Sequence, residues 1–409
     1  MKILVVTHYY PPEMGGAAAR VHGLSRWLVS FGHKVTVITG FPNYPTGFIP
    51  RGYRGRFRMK ERKDDVDIIR TWVYATSHRS GIGRLSNYSS FMLSSVITGL
   101  SIRGEYDVVL ASSPPLLIGI VGRVLSRIRG IPFVFDVRDI WPDVAVDAGA
   151  FHSGDILVRL GRYLARRLYA RADHITPVTE AKYDKIVAEG AGDEKVTVVP
   201  NGVDFDRLGN ENVEKWRRVL KPAGPFVAAY TGLIGIAQGV ETIVDAANFL
   251  HHDRGIHFLI VGDGVERKRL MQKAKYLNLN NVTFVPSQPR EEVASILALA
   301  DVVLVPLVSK NLLDAVPSKL MEAWACQKPV VLVASGEAAR LVDAAGGGVV
   351  VPPQDPKRLA DTVVSLSKDS DALFRYAENG YEFVKTHFDR KDLARSMEDV
   401  LMTVCRRKE

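Results

Sequence analysis

Residues 3–39 read ILVVTHYYPPEMGGAAARVHGLSRWLVSFGHKVTVIT. The stretch opens on the apolar run Ile3–Thr7, turns through a Pro/Gly region ending at Gly16, follows a helical pattern over Ala17–Phe31 closed by Gly32, and returns to a strand pattern over Lys34–Thr39. Strand, loop, helix, strand in this order predicts two parallel strands joined by a crossover helix. The theme recurs at Val108–Ala111, Leu116–Arg129 and the β-rich Pro132–Val137, and Ile175–Val178 and Val196–Val199 read as two more strands. In the second half, strand patterns at Phe226–Thr231, His257–Val261, Val282–Val285, Val302–Pro306, Val330–Val333 and Gly348–Val351 alternate with helical ones at Val240–Leu250, Arg267–Leu277, Arg290–Leu299 and Ser318–Cys326. This alternation predicts an α/β protein whose parallel sheets are covered by helices.

A chain of 409 residues is too long for one ordinary core, so two α/β domains in tandem are expected. The turn-rich Pro200–Gly209 marks the junction, giving a domain over 1–203 and a second over 204–387, with a helix at about 388–409 expected to pack back on the first. Apolar residues make up 46% of the chain and charged residues 24%, which excludes a disordered or fibrous class. Cys326 and Cys405 are too few for a disulfide framework, and MKILVVTHYY enters a strand with no secretory leader, so the cytoplasm is the expected compartment. The most apolar stretch, Tyr88–Ile102, falls short of the roughly 18 residues of a bilayer span.

The net charge of +9 lies almost wholly in the first half: residues 1–205 hold 27 Lys and Arg against 19 Asp and Glu, and residues 206–409 hold 27 against 26. Arg51, Arg54, Arg56, Arg58, Lys60, Arg62 and Lys63 crowd one run with Tyr53 and Phe57. Arg159, Arg162, Arg166, Arg167 and Arg171 lie in a helical pattern whose apolar positions include Ile156, Leu157, Leu160, Leu164 and Leu168. Such surfaces suit anionic lipid headgroups, a phosphorylated substrate or nucleic acid, and equally a solvated face that keeps the chain soluble.

Four strand-to-helix junctions of the second half share one design: TGLIGIAQG (Thr231–Gly239), VGDG (Val261–Gly264), VPSQPREE (Val285–Glu292) and DAVPSKLME (Asp314–Glu322). Each ends a strand on small residues and starts a helix at once, and helix starts present unbonded N–H groups suited to phosphates. The ordered set resembles the family 4 glycosyltransferases, together with Gly15-Gly16 and GHKVTVIT (Gly32–Thr39), VRDIWPD (Val137–Asp143), ADHITPVTE (Ala172–Glu180) and VVPNGVD (Val198–Asp204). The resemblance implies a GT-B fold of two facing Rossmann-like domains with a cleft between them. It also implies transfer of a sugar from a nucleotide-diphosphate sugar with retention of configuration, without metal or cofactor. RDIWP and PSKLME resemble the subgroup that builds bacterial surface polysaccharides by adding fucose-type or N-acetylamino sugars to lipid-linked intermediates.

On that resemblance Glu322 takes the nucleotide ribose hydroxyls and Asp314 the donor sugar. A carboxylate accepts two hydroxyl bonds, and at a helix start the dipole favours it. The amides near Leu320 and Met321 would meet the diphosphate, helped by Ser318 and Lys319, with Gly15, Gly16, Gly232, Gln238, Gly262 and Gly264 also around the donor. Asp314 departs from the family's Glu, and the loop after Thr231 carries Ile234, Ile236 and Gln238 where relatives carry Lys or Arg. Lys319, Arg20, Arg26 or backbone amides must then neutralise the diphosphate. Asp139 is the candidate base, with Arg138 either a charge contact or its ion-pair partner, and the departing phosphate could itself take the proton.

The sequence bears on four other readings. A dinucleotide oxidoreductase lacks its motif here, because HYYPPEMGG has two prolines where the tight phosphate turn belongs. A nucleotide-sugar 2-epimerase shares the architecture, and a non-catalytic nucleotide-binding relative is the blander form of the same reading. A nucleic-acid binder rests only on a pI near 9.4, so nucleic acid is not an expected partner. The expected acceptor is a polyprenyl-diphosphate-linked sugar or another glycan, met by a protein peripheral on the inner face of an anionic membrane.

Overall fold

The computed structural model describes residues 1–13, 15–44, 46–76, 81–147, 151–209, 212–220, 225–308 and 311–407, with the side chains at 82 and 290 left aside. The chain divides into two units, Met1–Asn201 with Arg390–Glu409, and Gly202–Asp389.

The first unit holds β1 (Lys2–Thr7), β2 (Lys34–Gly40), β3 (Arg58–Lys63), β4 (Val66–Thr71), β5 (Val108–Ser113), β6 (Phe133–Val137) and β7 (His174–Pro177). Their order in the sheet is β3-β4-β2-β1-β5-β6-β7. β1 sits between β2 and β5, with Ile3 opposite both Val35 and Val108 in parallel register. Strands buried on both faces must be apolar throughout, and all six residues of β5 are buried. The helix Gly16–Ser30 packs against the C-terminal helix Arg390–Arg406, with Leu24, Leu28, Met397 and Leu401 in one core. Gly23 permits that approach, since a Cβ there would lie 2.1 Å from Cδ of Arg390.

One strand expectation needs correction in this unit, and two of its strands, β3 and β4, carry no sequence expectation. The charged run at 51–63 ends in a strand: β3 pairs antiparallel with β4, Arg58 opposite Thr71, through a turn in which Asp64 and Asp65 take φ of 48° and 58°. Its alternation is hidden because nearly every side chain is charged, as befits an edge strand that must not recruit another chain. Val196–Val199 is no full strand. Thr197 and Val199 donate to Ile175 and Pro177, but only one isolated bridge forms before Pro200. Of the apolar positions of the arginine-rich helix Ile156–Arg171, Ile156, Leu157 and Leu160 are exposed, while Leu168 is buried with Val158, Ala165 and Tyr169.

The second unit holds β8 (Phe226–Thr231), β9 (Ile256–Val261), β10 (Val282–Val285), β11 (Val302–Pro306), β12 (Val330–Val333) and β13 (Gly348–Val351). They run parallel in the order β10-β9-β8-β11-β12-β13. An apolar cluster covers each face of the sheet, one around Trp324 and Leu259, the other around Phe258 and Val363. β8 and β11 meet where the strand order reverses, and their carboxyl ends are where ligands bind in open α/β sheets. Among the described residues no helix is long and apolar enough to cross a membrane.

Candidate functional site

In the second unit the turns after β8 and β9 stack on each other. Gly232 donates to Val261, Ile234 to the Asp263 carbonyl, and Gly262 to Val285, each at 2.9 Å. Gly262 has φ +152°, and a Cβ on it would meet the Gly232 carbonyl oxygen at 1.8 Å. Only glycine fits there. The next segment is tied as well: Ser287 N–H donates to the Asp263 carboxylate at 2.7 Å. Gln238, half-buried, ends the short 3-10 turn Ile236–Gln238, and Ala237 accepts from Val308 at 3.0 Å, which anchors this loop to the segment after β11.

That segment leads into Asp314 and the helix Ser318–Ala325. Asp314 is 7% exposed. Its neighbour Leu313 accepts from the N–H of Glu337, beside the Gly336 turn. The helix starts after Pro317 with no side chain capping it, so the Ser318 and Lys319 N–H groups are presented at the carboxyl edge of the sheet, whereas the Leu320 amide, expected at the diphosphate, donates to the Pro317 carbonyl at 3.0 Å instead. Glu322 is half-buried and is the fifth residue of this helix, beyond the first turn. The helix dipole therefore does not favour the Glu322 carboxylate, contrary to the sequence expectation, because its effect fades within the first turn.

Lys319 is the side chain that reaches the Gly232 turn. Its ammonium donates to the Tyr230 hydroxyl at 2.6 Å and lies 4.0 Å over the Tyr230 ring centroid. A Cβ on Gly232 would sit 3.3 Å from its Nζ. Burial pulls this ammonium down to about 7, with the Glu322 charge opposing. Tyr230 hands its own proton to the Leu233 carbonyl at 2.5 Å. The loop that lacks a cation in sequence thus has one delivered from another element.

In the first unit Gly15, φ +124°, precedes the helix Gly16–Ser30. Arg20, in its second turn, is 1% exposed and spends all its N–H groups internally. It pairs with Asp136 (Nε 3.2 Å, Nη2 2.8 Å) and donates to Val199, Pro200 and Asn201. No N–H is left for a phosphate. Arg26 lies 4.4 Å over the Trp27 ring.

Asp136 went unnoticed in the sequence, although one acid in the apolar strand FVFDV is a signal of a satisfied buried charge. It also accepts from Ser112 at 2.6 Å and Thr176 at 3.1 Å. Burial raises this carboxyl, but Arg20 outweighs that and holds it below the usual range. Arg138 does not pair with Asp139 among the described residues. Its Nε donates to the Ser113 carbonyl at 2.6 Å, its Nη2 is buried without a partner, and burial lowers its proton affinity. Asp139 itself is half-buried.

Two further groups at the carboxyl end of β1 escaped the sequence reading. His8 is 1% exposed with neither ring nitrogen bonded, and burial drops it to about 3. Glu13 accepts from the amides of Asn43 and Tyr44, each at 2.9 Å, through Oε1, while its Oε2 is buried and unpartnered. Burial lifts this carboxyl to about 7 against those bonds. An acid directly before the Gly-Gly turn was the available signal.

Comparison with known proteins agrees with this architecture. A family model described as "Glycosyl transferase 4-like domain" matches residues 15–202, and one described as "Glycosyl transferases group 1" matches residues 212–383. The Escherichia coli (strain K12) protein named "Putative colanic acid biosynthesis glycosyl transferase WcaI" is 28% identical over 392 residues, covering 92% of this chain and 96% of that one. Among solved structures, Anabaena Alr3699/HepE in complex with UDP and glucose aligns with a TM-score of 0.74 at 20% identity, over 98% of this chain and 99% of that chain. Sucrose-phosphate synthase from Thermosynechococcus elongatus aligns with a TM-score of 0.79 at 20% identity, over 98% of each chain.

Proposed function

We propose, since this chain belongs to the family 4 glycosyltransferases, that it moves a sugar from a nucleotide-diphosphate sugar to a saccharide acceptor with retention of configuration. It is a glycosyltransferase of GT-B fold related to colanic acid biosynthesis enzymes. The donor sits in the second unit, with Glu322 accepting the ribose hydroxyls and Asp314 meeting the sugar. The observation that carries this reading is Lys319: its ammonium lies at the Gly232 turn, where the diphosphate needs a cation and the loop has none. The Ser318 and Lys319 amides complete the anion site.

Charge that develops on the departing diphosphate is stabilised by groups already in place, which is where such sites gain most. Asp139 or the departing phosphate takes the acceptor proton. No metal or cofactor is required, so a chelator leaves the rate unchanged. The acceptor is a lipid-linked saccharide of surface-polysaccharide assembly, a reading supported by the WcaI likeness and by the basic first half. The enzyme works in the cytoplasm, peripheral on the inner membrane face, and flotation with anionic liposomes at low salt tests that.

The donor is tested by thermal shift against UDP-, GDP-, ADP- and dTDP-linked nucleotides, beginning with UDP because HepE holds it. Glu322→Ala is expected to weaken the nucleotide that binds by about tenfold or more, the loss of two charge-assisted bonds. Unchanged affinity would remove Glu322 from the site. Retention is read from the anomer of the first product by NMR.

A further inference from the structure

Three helices of the first unit, Gly81–Ser101, Ile118–Arg129 and Ile156–Arg171, cover one face of its sheet. Two glycines let them close into a single layer. A Cβ on Gly99 would lie 2.6 Å from a methyl of Leu125, and one on Gly119 would lie 2.7 Å from a methyl of Leu168. Between them the three helices carry nine arginines and no Asp, Glu or Lys. The whole chain has 45 acids against 54 Lys and Arg, so helices empty of acid are a sorted surface. Glu105 and Asp155 stand beyond helix ends, and Asp143 and Glu189 are taken up by Arg162 and Arg166. Arg84, Arg127 and Arg159 are exposed and, among the described residues, pair with no acid.

The same helices leave aliphatic side chains in water. Leu93, Ile97 and Leu100 recur along one side of the first, with Leu93 60% and Ile97 56% exposed. Ile128 is 61% exposed on the second, and Leu157 and Leu160 are exposed on the third. An amphipathic helix turns such positions inwards. Here the inward positions are already filled, by Phe91, Leu125 and Leu168, so each helix has a second apolar side. Single exposed aliphatics are ordinary. On three adjoining helices, interleaved with arginine, they form a patch that marks an interaction surface.

Charge and shape narrow the occupant. A second copy of this face would set arginine against arginine. A nucleic acid would leave the aliphatics in water and would find, among the described residues of these helices, one exposed ring, Tyr163, to stack on. An anionic bilayer satisfies both halves of the pattern: aliphatic side chains enter the boundary between headgroups and acyl chains, while long arginines reach the phosphates. The denser basic run at 51–63 does not compete, because Glu61, Asp64 and Asp65 stand in or beside it and β3 offers no aliphatic stripe.

We propose that this three-helix face is the surface that docks on an anionic bilayer, with Leu93, Ile97 and Leu160 inserted and Arg84, Arg127 and Arg159 on lipid phosphates. The proposal rests on the reading of a peripheral enzyme given above and supplies the surface that reading lacks.

The test is cosedimentation of the full chain with phosphatidylglycerol or phosphatidylcholine vesicles at physiological and at high salt. The wild type is expected to bind phosphatidylglycerol at least about tenfold more strongly. Leu93→Gln/Ile97→Gln/Leu160→Gln should lower partitioning about tenfold or more at either salt. Arg84→Gln/Arg127→Gln/Arg159→Gln should lower it about tenfold or more at physiological salt and little at high salt. Arg51→Gln/Lys60→Gln/Lys63→Gln removes the same charge from the other run and should change binding less than about threefold. All nine positions are exposed, and wild-type unfolding midpoints show that the variants fold.

If the wild type binds and the aliphatic triple binds equally well, the proposal is overturned while the peripheral reading stands. The same holds if the 51–63 triple loses as much as the helix-face one, since net charge alone then attracts the protein. If the wild type fails to bind phosphatidylglycerol vesicles, both fall. An oligomer in sedimentation equilibrium that the aliphatic triple dissolves, with vesicle binding unchanged, gives the face to a second copy and overturns the proposal.

Discussion

Lys319 faces opposed demands. An ammonium packed on the Tyr230 ring and removed from water loses its proton near pH 7, whereas a diphosphate beside Gly232 needs the charged form. Each pH unit above the value of about 7 that burial gives this ammonium costs about 1.4 kcal/mol to recharge it. Nucleotide affinity is therefore expected to fall between pH 7.5 and 9, by up to about tenfold per unit, with proton uptake on binding. Calorimetry in two buffers of different ionisation enthalpy measures the uptake, and Lys319→Gln should abolish both effects. A pH-independent affinity in the wild type would separate Lys319 from the phosphate. The position of Lys319 in PSKLME was readable, and so was its candidacy as a neutralising cation. Its contact with Tyr230, 89 residues away in sequence, was not, because nothing local dictates which strand end a helix start will meet.

At the scale of elements, the loops hold the chemistry and the strands hold the loops. The turn after β9 touches the turn after β8 backbone to backbone at Gly262, so Gly262→Ala must push the Gly232 carbonyl away. A loss of more than about 2 kcal/mol of stability is expected, checked by chemical denaturation, together with weaker nucleotide binding. In the first unit the loop after β1 is latched to the end of β2 by Glu13. Folded, this carboxyl keeps its proton to about pH 7, against 4.5 for the free group. Between those values the folded state binds more protons than the unfolded one, so its contribution to stability falls as pH rises. Glu13→Gln keeps an acceptor for the Asn43 and Tyr44 amides. It should match the wild type at pH 4 and exceed it by about 1–3 kcal/mol at pH 8. Equal denaturation midpoints for the two at pH 8 would show that Glu13 ionises without penalty.

For the whole molecule, the proposed donor site lies within the second unit, and that confinement is measurable. Hydrogen exchange with UDP should slow amides around Gly232 and Ser318–Ala325 within residues 202–389 and leave those of the first unit unchanged. The chain passes between the units twice, after Asn201 and after Asp389. Truncation before Arg390 would strip Met397 and Leu401 from Leu24 and Leu28 and is expected to destabilise the first unit more than the second. The sequence by itself determined the alternating strands, the α/β class, the Gly turns and the motif from Asp314 to Glu322, because each rests on local periodicity or on the few residues that permit a sharp turn. It left the charged strand β3 unread, because charge masks its alternation, and took Val196–Val199 for a full strand where one isolated bridge forms. Only the tertiary structure decided that Arg20 is spent on Asp136 and that Lys319 supplies the Gly232 turn. Those are pairings between distant segments, and the geometry of the packed sheets, rather than any local preference, sets them.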